Sequence, residues 1–152
     1  MVELSHLDAE GRARMVDVSA KPESARTAIA EGCVFVAPST IEIVLRAGLP
    51  KGNPFEVARL AGVQAAKRTA ELIPLCHSLH LDFADVRIET GEDRFMIRSE
   101  VRCRRATGVE MEALTAVSLA ALTIYDMCKA VDKEMRIGEI RLVRKTKGEP
   151  GP

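Results

Sequence analysis

With 152 residues, the chain is long enough for one domain whose apolar core needs no metal or disulfide staple. Its 22 basic and 22 acidic residues cancel, which argues against an electrostatic grip on nucleic acid or on an anionic membrane surface. One Tyr, four Phe and no Trp leave little on which to stack bases, and four cysteines without a C-x-x-C pair read as reduced thiols, not as a zinc or redox site.

Met1 to Arg12 reads as a polar arm without signal-peptide character, so the cytoplasm is the expected compartment. A short strand is predicted at Ala13–Val18, then a longer one over Arg26–Val36, where Cys33 to Val36 is strongly strand-forming. Pro38 opens a helix with Ser39 or Thr40 as N-cap and Gly48 as its stop. Leu49 to Asn53 is a loop that displays Lys51. Pro54 begins the next helix at a position where its missing N–H costs nothing, and the pattern predicts helix to Leu72. Gly62 and its small neighbours allow that helix a close approach to another element; Arg59, Lys67 and Arg68 form its basic side.

Pro74 breaks the helix. Cys76 and His77 follow at a junction where pockets often lie, but adjacent side chains are poor co-ligands and the usual metal spacings are absent, so no metal site is expected. A pocket role and a structural hydrogen bond are equally open for His77. Strands are predicted at Leu79–Thr90 and Arg94–Arg104 around the turn Gly91-Glu92-Asp93, with a bulge near Phe83 where the apolar parity changes. In the second, Phe95, Ile97, Val101 and Cys103 face a core, and the arginines between them face water or a polar interface.

Thr107 to Asp132 is the most informative stretch. Between Met111 and Val131 nearly every helical face is apolar, which demands cover on all sides. The uninterrupted apolar part, Ala113 to Tyr125, is short for a membrane span of roughly 20 residues. Charge sits only at the ends: Glu110 and Glu112 in the first turn, Asp126 and Lys129 near the last. The glutamates suit the helix dipole as well as they suit chemistry; Asp126 with Lys129, set amid Tyr125, Met127, Cys128 and Val131 and expected to be partly desolvated, favours chemistry over its alternative, a structural ion pair. Glu112 and Asp126 lie roughly 21 Å apart along a straight helix, so one small pocket cannot use both from one copy. Two chains that bring opposite ends together can. A last strand is expected at Glu139–Lys145 and a disordered tail at Lys147–Pro152.

The order β-α-α-β-β-α-β describes a single α+β domain over residues 1–152: a ferredoxin-like antiparallel sheet with helices packed on one face. No P-loop, cofactor motif or internal repeat interrupts it.

Several of these segments together carry a resemblance. Met15-Val16-Asp17-Val18-Ser19, the helix from Ala58 to Thr69, the run Leu72-Ile73-Pro74-Leu75-Cys76-His77, and Thr107 to Val131 are similar to the cyclic pyranopterin monophosphate synthase family, from about Met15 to the last strand. The resemblance implies a lyase of early molybdenum cofactor biosynthesis. Such an enzyme converts the 3′,8-cyclised dihydro-GTP made by a radical SAM enzyme to cyclic pyranopterin monophosphate, with release of pyrophosphate and without a cofactor of its own. It further implies a homohexamer of three dimers with pockets at the dimer interface. By the same resemblance Asp126 matches the catalytic aspartate, with Lys129 and Lys51 implicated beside it. Leu75, Cys76 and His77 match one substrate-binding segment, Met111 and Glu112 another, Lys67 a pocket lysine and Glu110 a neighbouring carboxylate. Ser78 stands where the family commonly has proline, and Asn53 where it commonly has an acid. A rival of another class is a non-catalytic binding or scaffold protein of the same fold, which would release no pyrophosphate from the cyclised intermediate.

Overall fold

A computed structural model describes residues 5–150. Its centre is a pair of 12-residue strands, β1 (Ser24–Phe35) and β3 (Arg94–Arg105), antiparallel in unbroken register from Ser24 opposite Arg105 to Phe35 opposite Arg94. β2 (Phe83–Thr90) pairs with the outer side of β3, and β4 (Arg136–Pro150) with the outer side of β1, giving a four-stranded antiparallel sheet in the order β2-β3-β1-β4. Strand alternation sets its two faces. Ala28, Ala30 and Val34 of β1 and Phe95, Ile97, Ser99, Val101 and Cys103 of β3 point into the core; Arg94, Arg98 and Arg102 ride on the other face, stacked on Phe35, paired with Glu31, or stacked on Phe83.

The helices lie on the apolar face: α1 (Pro38–Leu45), α2 (Pro54–Lys67), the single turn α3 (Thr69–Leu72) and α4 (Glu110–Cys128). β-Branched residues such as Thr115, Val117, Thr123 and Ile124 give α4 no great intrinsic preference for helix, so packing must hold it. Ala113, Ala116, Val117, Ala120, Ala121 and Ile124 are completely or almost completely buried against the sheet and α2. Contact with α2 is made through small residues: a Cβ on Gly62 would stand 2.8 Å from Val86 Cγ2 and 2.9 Å from the Ala116 carbonyl oxygen.

Several expectations need correction. Ala13–Val18 forms no strand; its one sheet-like contact is a bridge from Ala13 to Leu7, because no neighbouring strand offers the segment a ladder. The parity change near Phe83 is the beginning of β2, not a bulge, and Leu79–Asp82 is irregular. The helix predicted to Leu72 stops at Lys67, and after the break at Arg68 the buried Thr69 returns its hydroxyl to the carbonyls of Ala65 and Ala66. Neither Ser39 nor Thr40 is the N-cap of α1: Ala37 is, without a side-chain bond of its own, and the carboxylate of Asp132 takes over. β4 is longer than predicted, reaching from Arg136 to Pro150. Irregularities opposite Ser24/Arg26, Ile29/Ala30 and Glu31/Cys33, with Glu139 at φ +56°, break the alternation that reveals a strand. The segment expected as a disordered tail is therefore strand through Pro150, and residues 151–152 lie outside the described set. On α4, by contrast, Met111 and Leu122 remain exposed, which is compatible with the expectation that this chain alone covers only part of the helix.

The α2–α4 contact gives a stability prediction. Alanine gains about 1 kcal/mol over glycine in a helix, but a Cβ pressed on a backbone oxygen forces the helices apart at a cost of about 1–3 kcal/mol. Gly62→Ala should therefore lower the melting temperature, and Gly62→Val should lower it further; a calorimetric scan of the three proteins checks the order.

Candidate active site

The close contact runs α2 antiparallel to α4, so each end of α4 acquires a different set of neighbours. At its C-terminal end is the loop before α2. Gly52 at φ +90° turns that loop, and Asn53 caps α2 by accepting the Phe55 N–H at 2.9 Å, a role its amide oxygen fills as a carboxylate would. Lys51 is thereby brought to Asp126, donating to Oδ2 at 2.8 Å and to the backbone carbonyl at 3.3 Å. Lys129, one turn on, donates to the other carboxylate oxygen at 2.6 Å.

Asp126 thus lies between two ammonium groups. Hydrogen bonds from Lys129 first and Lys51 second, reinforced by their charges, hold its carboxyl at about 2, while Lys129 is raised by the same hydrogen bond. All three side chains are about half exposed, so this is an accessible cluster with a net positive charge near neutrality and not a buried structural ion pair. In this arrangement Asp126 only accepts hydrogen bonds and the two lysines carry the mobile protons.

The N-terminal end of α4 faces a cavity of about 410 Å³. Leu75, Cys76 and His77 form one wall, Met111, Glu112 and Glu110 another, and the irregular arm contributes Val16, Val18 and Lys21. His77 Nε2 lies 2.7 Å from the Val16 carbonyl oxygen. A carbonyl can only accept, so this nitrogen carries a proton and Nδ1 is the ring atom left free to meet a guest. Glu112 is only 4% exposed. Burial pushes its carboxyl above the ordinary range, helped by the charge of Glu110, while its own backbone N–H and His77 oppose the rise. Burial and then the charge of Glu112 raise the Cys76 thiol, which makes it a poor nucleophile. Glu110 is tied to Lys145 at 3.1 Å.

The fold therefore assembles the expected residues into two groups. Asp126, Lys129 and Lys51 touch one another; Leu75, Cys76, His77, Met111, Glu112 and Glu110 share a cavity. Lys67 is exposed at the last residue of α2 and, by the antiparallel packing, belongs to the Glu112 end, outside that cavity lining. Arg59 joins neither group, being paired with Glu56 and Asp85. Sequence reasoning missed His6 and Lys21 in the cavity wall, since an irregular arm has no periodicity to mark which residues face inward. Among the described residues no three His, Cys, Asp or Glu side chains are grouped to hold a metal ion.

An α+β domain with a cavity at one end of a buried helix and an acid–amine cluster at the other is the class defined by this geometry. The family model described as "MoaC family" matches residues 15–148, and the chain belongs to that family. It is 58% identical over 151 residues to a cyclic pyranopterin monophosphate synthase of Chloroflexus aggregans, covering 98% of this chain and 92% of that protein. It is 54% identical over 153 residues to the protein of the same name from Roseiflexus sp., with 99% and 97% covered. A molybdenum cofactor biosynthesis bifunctional protein of Chlorobaculum tepidum is 55% identical over 148 residues, covering 97% of this chain but 47% of that longer protein.

Glu112 gives a prediction with a definite sign. Its carboxyl is raised in the folded protein, so above the ordinary value of 4.5 the unfolded chain loses this proton first, and rising pH drains stability until the folded group has ionised too. Glu112→Gln removes that penalty. Denaturant titrations at about pH 4 and about pH 7 should show the variant gaining on the parent as pH rises; the opposite trend would contradict a buried, raised carboxyl.

Proposed function

We propose that this chain is a lyase that converts (8S)-3′,8-cyclo-7,8-dihydroguanosine 5′-triphosphate to cyclic pyranopterin monophosphate with release of pyrophosphate, an early step of molybdenum cofactor biosynthesis. The observation that carries the proposal is the family match over nearly the whole chain, with the resemblance-assigned residues gathered into two compact groups. The non-catalytic scaffold reading gains nothing from such a half-exposed carboxylate between two ammonium groups.

Internal attack on the α-phosphorus forms the new P–O bond and breaks the bond to the β-phosphate bridging oxygen, so pyrophosphate leaves with growing negative charge. Lys51 and Lys129, with Lys67 from the other end, are the cations available to offset it. Rearrangement of the purine-derived rings requires protons to be moved. Asp126 and Lys129 are assigned that task, and Glu112 with His77 the orientation of the guanine-derived part.

The two groups lie roughly 21 Å apart along one helix, too far for a single nucleotide-sized site. That separation calls for two chains at each site, one giving its Asp126 end and its partner the Glu112 end; the homohexamer of three dimers with ferredoxin-like subunits is what the family resemblance implies. The open apolar faces of both helices support this: Met111 and Leu122 on α4, and Val57 and Leu60 on α2. The substrate comes from the upstream radical SAM cyclase, and the cytoplasm is the compartment assigned.

Asp126→Asn and Lys129→Ala should each reduce pyrophosphate release by at least about 100-fold without changing particle size on gel filtration, and normal turnover in either would overturn the catalytic assignment. Shared sites also predict complementation. Co-assembly of equal amounts of Asp126→Asn and Glu112→Gln chains should regain activity in about a quarter of the sites, because half of randomly formed dimers are mixed and each holds one intact site. A site built within one chain would regain none.

A further inference from the structure

Asp132 belongs to neither group above, yet it is a charged side chain buried at the very end of α4, only 7% exposed. Its backbone N–H rests on the Cys128 carbonyl at 3.1 Å, which seats it on the last helical turn. Oδ2 accepts the Ala37 N–H at 2.8 Å and the hydroxyl of the buried Thr40 at 2.9 Å; Oδ1 accepts the Glu134 N–H at 3.0 Å. The carboxylate thus serves as the missing cap of α1 and is well placed against its helix dipole.

The chain between Ala37 and Lys51 makes an excursion that begins and ends at the same end of α4. It leaves from Asp132, runs along α1, turns back through Ala47 at φ +54°, and returns at Lys51 to Asp126. Ile41, Val44 and Leu49 bury its apolar side, so both ends of the excursion are joined through one packed segment. Its polar anchors on the end of α4 are the two carboxylates, six positions apart in sequence. One of them meets solvent and reacting groups; the other is closed off.

We propose that Asp132 is a positioning residue for the proposed reaction: by fastening the start of α1 to the end of α4, it fixes where Lys51 stands relative to Asp126 and Lys129. This rests on the reading that those three residues carry the chemistry. Asp132 touches no reacting atom in this scheme and acts through Lys51. Loss of its anchor displaces the lysine, and displacements of about 1 Å at reacting groups cost on the order of 100-fold in rate.

Pyrophosphate release by purified Asp132→Ala, Asp132→Asn, Thr40→Val, Lys51→Ala and the Asp132→Ala/Lys51→Ala double variant tests it, each assayed well below its own melting temperature. Asp132→Ala should lower kcat by about 10- to 100-fold while KM changes by less than about threefold. Asp132→Asn keeps an oxygen for Ala37 and Thr40, and should recover much of that loss. Thr40→Val, which removes one donor at constant shape, should lower kcat less than Asp132→Ala does. The double variant should be no slower than Lys51→Ala alone, because both act through one lysine. Full additivity, or a parental kcat in Thr40→Val, would overturn the positioning role even if Asp132→Ala fails to fold. A Lys51→Ala enzyme with parental turnover would instead overturn the catalytic reading on which the role rests.

Discussion

The near-contact of backbones between α2 and α4, at Gly62 against Ala116 and Ala120, is the constraint from which the functional geometry follows. Two helices with larger residues at the crossing would stand farther apart and leave space above Val86 and the sheet. Because they touch closely and run antiparallel, the loop before α2 must arrive at the last turn of α4, and the segment after α3 must arrive at its first turn. Lys51 and the Leu75–His77 run are in this sense placed by a glycine and two alanines that take no part in any reaction.

Electrostatically the two ends of α4 are opposites. At one, a half-exposed carboxylate is kept ionised by two lysines; at the other, a buried carboxyl is pushed towards its neutral form. The difference comes from surroundings and not from residue type: Asp126 is offered ammonium groups in contact with water, whereas Glu112 is enclosed by side chains and repelled by the charge of Glu110. Two acids of one helix are thus pushed in opposite directions from their ordinary values, the pattern by which a protein separates the roles of similar groups.

Much of this was legible in the sequence because it depends on local pattern. Alternation along Arg94–Arg104 identifies β3 and its buried face, the apolar run of α4 identifies the core helix, and charged residues confined to its ends identify the two sites. The resemblance then sorted the charges by role, which periodicity does not do. What escaped depends on partners distant in the chain. The α1 cap lies 95 residues from the backbone group it serves, the register shifts of β4 are set by β1, and the inward side chains of the arm are chosen by the cavity they close. Ser39 and Thr40 are good capping residues in isolation; Thr40 was claimed instead by a carboxylate that its own segment does not contain.

The hydrogen bond from His77 to the Val16 carbonyl has a consequence for recognition. With one ring nitrogen committed to the main chain of the arm, only Nδ1 is left to meet a guest, and when the ring is uncharged that atom offers an electron pair, which suits an N–H edge better than a carbonyl edge. The amino-terminal strap thereby decides, through a single main-chain oxygen, which ring nitrogen is turned towards this wall of the cavity.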